Sequence, residues 1–259
     1  MKYILSSLSV CMVLVTGVTA GQVTTVENIT VEASSGNPME IFTINGSIDV
    51  EEWDSNQVEV VYTITCSNEE ELSFITVESN MSNGIICEVD YDDDCECSNC
   101  SVDFEVRIPE NIDLTIELTS VNGNVSIDGG KGEAILEVVN GNIDAENFSG
   151  ELEVCSVNGN IEVSDSPGVR IAELVNGNIE CVINSLEDDL ELETVNGNIT
   201  LYLGIDALVE IETISGEISI DESFNALITE NIVGCSAEFG DGDLSIEIST
   251  ISGDITILD

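Results

Sequence analysis

The chain is nearly without positive charge. Its 259 residues carry four Lys and Arg against 52 Asp and Glu, with no His, for a formal net charge of −48. The four cations are Lys2, Arg107, Lys131 and Arg170. Nucleic acids and anionic membranes are bound through clusters of Lys and Arg, so neither is a partner here. Without His, a His-dependent hydrolytic triad is excluded. Aromatic residues make up only 4% of the chain and Pro occurs three times. Beyond residue 20 no apolar run is long enough to cross a bilayer as a helix. Extreme charge with little apolar content means disorder. Here apolar residues reach 42% and alternate regularly, so the chain folds, in salt or among cations that screen its self-repulsion. A halophilic setting fits.

What the chain has is one phrase, repeated. It reads VNGNV at Val121–Val125, then VNGNI at Val139–Ile143, Val157–Ile161, Val175–Ile179 and Val195–Ile199. It weakens to ISGEI at Ile214–Ile218 and ISGDI at Ile251–Ile255, and an early copy, INGSI, stands at Ile44–Ile48. From Asn122 through Asn140, Asn158, Asn176 and Asn196 to Ser215 the steps are 18, 18, 18, 20 and 19 residues. The gap from Ser215 to Ser252 is two steps, placing a missing copy at Val233–Gly234; Asn83–Gly84 lies near the middle of the longer gap after Asn45. A fixed period of this size predicts a solenoid of stacked coils.

The columns of the repeat give the strands. Three residues after the first Asn come Val125, Ile143, Ile161, Ile179, Ile199, Ile218 and Ile255; two further come Ile127, Ala145, Val163, Cys181, Leu201, Ile220 and Ile257. Four before it come Leu118, Leu136, Val154, Ala172, Leu192 and Ile211. Acidic and hydroxyl residues fill the places between, which is the period-two pattern of strands with one buried face. Asn-Gly between strands ordinarily marks a hairpin. The identical repeat favours a corner instead, with each strand pairing to its equivalent one coil away and Gly123, Gly141, Gly159, Gly177 and Gly197 at the turn. Stacked Asn122, Asn140, Asn158, Asn176 and Asn196 are placed to form an amide ladder, since each amide both donates and accepts. A left-handed hexapeptide helix would need an apolar residue every six; counting from Val139, Ala145 fits and Glu151 does not. The fold class is therefore all-β, a parallel β-solenoid (right-handed β-helix or β-roll) of about 18–20 residues per coil. Roughly twelve coils at about 4.8 Å each would make a body of roughly 55–60 Å.

Residues 1–20 read as a secretory signal: Lys2, an apolar stretch from Ile4 to Val15, and a small-residue cleavage site at Val18-Thr-Ala20. Val10 before Cys11 is too bulky for a lipoprotein box. Residues 21–110 are expected to be irregular coils with a Cys-rich acidic loop. Residues 111–259 are expected to form the regular solenoid, continuous with them.

A strand, the corner at Ile44–Ile48, the Glu52-Trp53-Asp54 turn, a variable middle, a strand ending at Pro109 and serial NG-[ND]-I coils together resemble a known group. It is a domain-of-unknown-function family of bacterial and archaeal proteins described as candidate adhesins. The resemblance covers about residues 27–259. It implies a single-stranded right-handed β-helix at or beyond the cell surface, and no catalytic residues.

Other features are local. Cys66, Cys87, Cys95, Cys97 and Cys100 cluster, and export favours disulfides among them; thiolate metal binding is the alternative. Asp92 and Asp94 belong to an acidic loop without EF-hand spacing, read either as a solvated loop or as an oxygen-rich Ca²⁺ ligand set. Glu191 and Glu193 repeat as Glu210 and Glu212 one copy later. Stacked in register they would form either a solvated acidic surface that salt merely screens or a carboxylate lattice open to Ca²⁺ or another divalent cation; no other cofactor is expected. Sequons at Asn28, Asn45, Asn80, Asn99, Asn124, Asn147 and Asn198 are candidate glycosylation sites in an exported protein.

The function these features favour is an exported, non-enzymatic surface or secreted solenoid, adhesin-like or envelope-structural, with surface glycans or envelope proteins as partners. The oligomeric state is not encoded legibly. The alternative is a polysaccharide-acting enzyme on a β-helix scaffold. Ice or crystal binding would need a regular outward Thr array, and no column supplies one.

Overall fold

The computed structural model describes residues 15–19, 22–80, 84–92, 99–224, 226–231, 234–240 and 242–259. Among the described residues strands dominate, and they form two sheets of 12 strands each. The apolar columns face inward between the sheets. Ile143, Ile161, Ile179, Ile199 and Ile255 on one sheet, and Leu136, Val154, Ala172 and Leu192 on the other, are at most 1% exposed. Burying one such Ile or Leu contributes about 1.5–3 kcal/mol, so each coil is held mainly by its few inward side chains.

Through the regular repeats, each turn consists of a long strand, the VNGN corner and a short strand. Ser149–Asn158 followed by Ile161–Ser164 is an example, with burial alternating along both. Equivalent residues pair in parallel from turn to turn: Val125 with Ile143, Ile161, Ile179 and then Ile199. The fold is the all-β parallel solenoid expected from the repeat.

Nine parallel turns are present among the described residues, fewer than the repeat count suggested, because both ends are finished differently. At the N-terminal end the turn made by Pro38–Asn45 and Ile48–Trp53 docks on Leu114–Asn122 and Val125–Asp128. The chain between them folds outward. Ile85–Tyr91 and Ser101–Pro109 make one more parallel turn. Antiparallel strands then extend both sheets: Gln57–Cys66, Gln22–Glu32 and Val15–Thr19 on one, Ile75–Asn80 on the other. Gly84 is therefore not a corner; it packs under the Pro38 carbonyl at the start of a strand, and Asn83 lies outside the described residues. Cys66 and Cys100 stand at disulfide distance, Cα atoms 4.3 Å apart, joining the end of one strand to the start of another.

At the C-terminal end the stacking order departs from the sequence order. The strands Ser245–Ser252 and Ile255–Leu258 lie between the 190–203 turn and the 208–220 turn. Asn196 thus pairs with Ser252, and Ser252 with Ser215. The expected copy at Val233–Gly234 is not a parallel coil. Gly234–Phe239 runs antiparallel beside Leu208–Ser215, and Leu227–Asn231 runs antiparallel beside it. Val233 lies outside the described residues. This hairpin covers the sheet edge, which would otherwise offer unpaired backbone groups to another chain. Among the described residues no helix is long and apolar enough to cross a membrane.

Candidate interaction face

The corner glycine has a stronger requirement than a turn. Gly159 has φ +149°, and a Cβ there would stand 1.8 Å from the Gly141 carbonyl oxygen of the turn below. Backbone meets backbone at the corner, so only hydrogen fits. A second glycine column repeats this at the start of the long strands: Gly150 stands over Gly132, and Gly168 over Gly150. Sequence reading passed over it, although the three lie 18 residues apart.

The corner's two Asn residues have different jobs. The first is a side-chain chain: Asn122 Nδ2 donates to Asn45 Oδ1, Asn140 to Asn122 and Asn158 to Asn140, each at 2.9 Å. Asn176 donates to Asn158 at 3.0 Å and Asn196 to Asn176 at 3.1 Å. It stops at Ser252, which has no amide. The second Asn accepts from backbone: Asn142 N–H donates to Asn124 Oδ1 and Asn160 N–H to Asn142 Oδ1, each at 2.9 Å. The series continues through Asn178 and Asn198 to Asp254, whose carboxylate accepts from Glu217 N–H at 2.9 Å. This second ladder crosses the reordered end without a break. It too was missed from sequence, where it shows as the fourth letter of VNGN.

The residue before the first Asn points outward. Val139, Val157 and Val175 are each 39–40% exposed, and Ile251 and Ile214 more so. Stacked in register, they make an aliphatic stripe along the solenoid, continued by Val121 and Val195. Two residues earlier, Glu137, Cys155, Glu173 and Glu193 pair in one row. Between stripe and row runs a shallow groove of about 480 Å³. Cys155 sits within it. Burial first, then the carboxylates of Glu173, Glu137 and Glu153, push its thiol up to about 11. Burial raises Cys87 to about 11 and Cys181 to about 12. All three are therefore protonated at neutral pH, and none is an activated nucleophile. Cys87 is a buried free thiol and belongs to no disulfide.

Toward the C-terminus the same face becomes acidic. The expected stacking of Glu191 on Glu210 and Glu193 on Glu212 does not occur, because the Ser245–Ser252 strand lies between. Glu191 pairs with Glu247, Glu247 with Glu210, and Glu210 with Glu238, giving four carboxylates in an unbroken row. Glu193 and Glu212 are instead separated by Ser249. The insertion thus lengthens one carboxylate row and interrupts the other. No cation faces this field: among the described residues Arg107 pairs with Glu59, Lys131 with Asp113 and Arg170 with Glu151. Nor do three or more His, Cys, Asp or Glu side chains converge as a metal site among the described residues. Asp92 lies at the end of the strand pair near Phe74, its N–H bonded to the Phe74 carbonyl. Asp94, Cys95 and Cys97 lie outside the described residues.

The inserted strand is pinned at its start. Asp189 Oδ1 accepts from Ser245 N–H at 2.8 Å, and that bond holds the carboxyl below the usual carboxylate range. Of the sequon residues, Asn80 and Asn99 are exposed in the N-terminal region. Asn45, Asn124 and Asn198 have Oδ1 committed to the ladders. Asn28 Nδ2 donates to Glu59 and Asn147 Nδ2 to Asp128.

The Toastrack DUF4097 family profile matches residues 22–258, and the chain belongs to that family. No curated protein matches it. Among solved structures, a candidate cell adhesion protein of Clostridium sporogenes is 15% identical with a TM-score of 0.39. A candidate adhesin of Bacteroides fragilis is 11% identical with a TM-score of 0.45, and a candidate lipid-binding protein of Parabacteroides distasonis is 14% identical with a TM-score of 0.40. Each alignment covers 90% of this chain and 97% of the other.

Proposed function

We propose that this Toastrack chain is an exported, non-enzymatic solenoid of the cell surface or the secreted fraction, adhesin-like or envelope-structural, that works by presenting its ridged outer face. The observation that carries the reading is register. Identical side chains stack turn upon turn, so a weak contact made once is offered several times along a rigid body, and repeated weak contacts add up. The cysteine within the groove is a protonated thiol, which speaks against nucleophilic chemistry there. Cleavage after Ala20 would remove the Val15–Thr19 strand and leave Gln22–Glu32 as the sheet edge.

Cations belong to this reading. Adjacent carboxylates at about 4.8 Å repel by about 0.9 kcal/mol per pair even in bulk water. The row Glu191, Glu247, Glu210 and Glu238 holds three such contacts. Salt relieves them by screening, and Ca²⁺ or another divalent ion bridges neighbours. Fractionation of the native cells, with protease added outside intact cells, tests the location. The protein is expected in the medium or in the protease-sensitive surface fraction. Recovery in the cytoplasm, untouched by protease, would overturn the reading.

A further inference from the structure

Among the described residues, the aliphatic stripe is left exposed, and the three described cations pair with carboxylates outside the row beside it. We infer that the groove between Val139, Val157 and Val175 on one wall and Glu137, Glu173 and Glu193 on the other is a docking site for a cationic amphipathic helix of a partner protein. The inference rests on the reading of the outer face as a contact surface and names what that face takes.

The charge argument fixes the sign. A net charge of −48 repels a second copy of this chain and any anionic lipid or nucleic acid. A ligand that covers the valines must pass the glutamates, so Lys or Arg has to stand on that flank. The aliphatic wall fixes the other half. Three β-branched side chains, each 39–40% exposed, gain by being covered with apolar surface. Polar sugars and free cations would leave them wet.

The backbone argument fixes the shape. The groove runs across the strands, and in the middle of the solenoid every strand already has a parallel neighbour on both sides. An extended peptide laid there finds no sheet edge to join and leaves its own N–H and C=O groups unpaired. A helix satisfies its own. Its pitch is about 5.4 Å, close to the roughly 4.8 Å between turns, so one apolar residue per helical turn meets successive valines. Same-side residues of an extended chain recur at about 6.6–6.8 Å and fall out of step. The five valines from Val121 to Val195 span about 19 Å, the length of roughly 13 helical residues.

The test uses the full chain and two synthetic peptides of about 14 residues and equal composition, one a Leu/Lys amphipathic helix, the other a scramble without an apolar face. Binding is measured by calorimetry at about 0.15 M salt. The amphipathic peptide is expected to bind at least tenfold more tightly. V139T/V157T/V175T, which keeps the branched shape, should bring that ratio close to one and leave the scramble unchanged. E137Q/E173Q/E193Q should weaken both peptides. An independent readout on the unaltered protein is the alkylation rate of Cys155, resolved by peptide mapping, which the amphipathic peptide should slow and the scramble should not. No preference for the amphipathic peptide, a preference that survives in the Val→Thr variant, or an unprotected Cys155 would each overturn the docking site. None of these outcomes bears on where the cell keeps the protein, which fractionation decides separately.

Discussion

The middle of the solenoid and its C-terminal end are made of the same coil and are assembled differently. In the middle, a turn rests on its neighbour in sequence, and its ladder bonds join residues 18 to 20 apart, as from Asn160 N–H to Asn142 or Asn198 N–H to Asn178. At the end the equivalent bond from Asp254 N–H to Asn198 spans 56 residues, and that from Glu217 N–H to Asp254 spans 37. The bonds fall within the same 2.9–3.1 Å and join the same atoms, a backbone N–H and a side-chain Oδ1; only the connection differs. A repeated cross-section specifies how a turn packs but leaves open which turn comes next. Closure of the long loop before the last strands dock costs entropy that grows slowly with length, so the inserted order is thermodynamically accessible, though slower to form.

The sharpest way to break the comparison is to attack what both regions share. Gly159→Val places a Cβ on the Gly141 carbonyl oxygen. It should cost about 5 kcal/mol or more, beyond the usual range of point substitutions. Glu162→Val, exposed on the next strand, should stay within about 0.5 kcal/mol. Equal melting temperatures for the two would show that the corner does not need its glycine.

A smaller effect separates the regions. Asn158→Ala removes two side-chain bonds from the middle of the amide chain. It should cost about 1–2 kcal/mol in denaturant melts. Ser252→Ala, at the equivalent place in the inserted turn, has no amide to lose and should cost close to nothing. Equal losses would mean the ladder is decoration.

The smallest effect is confined to the end. Asp189 accepts from Ser245 N–H, and its pKa lies below the ordinary carboxyl value of 3.8. A depressed pKa contributes stability above the unfolded value, and that contribution is lost as pH falls through the folded one. The start of the inserted strand should therefore loosen below about pH 4 while the middle stays protected. Amide exchange at Ser245 reads this directly. Asp189→Asn should abolish the pH dependence there; a dependence unchanged in the variant would assign it elsewhere.

How much of this was legible follows the same division. The apolar columns, the corner and the parallel pairing could be read because each depends on residues within one period. Leu136, Val154 and Leu192 are buried for the reason their spacing suggested. The second Asn ladder and the Gly132, Gly150 and Gly168 column carried the same period and were overlooked. The stacking order was not legible. Ile246, Ile248, Ile255 and Ile257 match the inward columns of any turn, so local pattern cannot tell an outer slot from an inner one. The candidate face was half legible for that reason. Val139, Val157 and Val175 stack as repeats must, whereas the row from Glu191 to Glu238 exists only because another strand comes between Glu191 and Glu210.

The stacking order is the central claim, and cross-linking tests it. In a Cys155→Ser background, paired cysteines replace Glu193 and Ser249, or Glu193 and Glu212. Neighbouring strands lie about 4.8 Å apart, within reach of a disulfide or a very short linker, and strands two places apart lie at about twice that. The account predicts rapid oxidation of the Glu193→Cys, Ser249→Cys pair and none of the Glu193→Cys, Glu212→Cys pair. Oxidation of the second pair without the first would mean that the turns stack in sequence order, and the inserted C-terminal coil would be wrong.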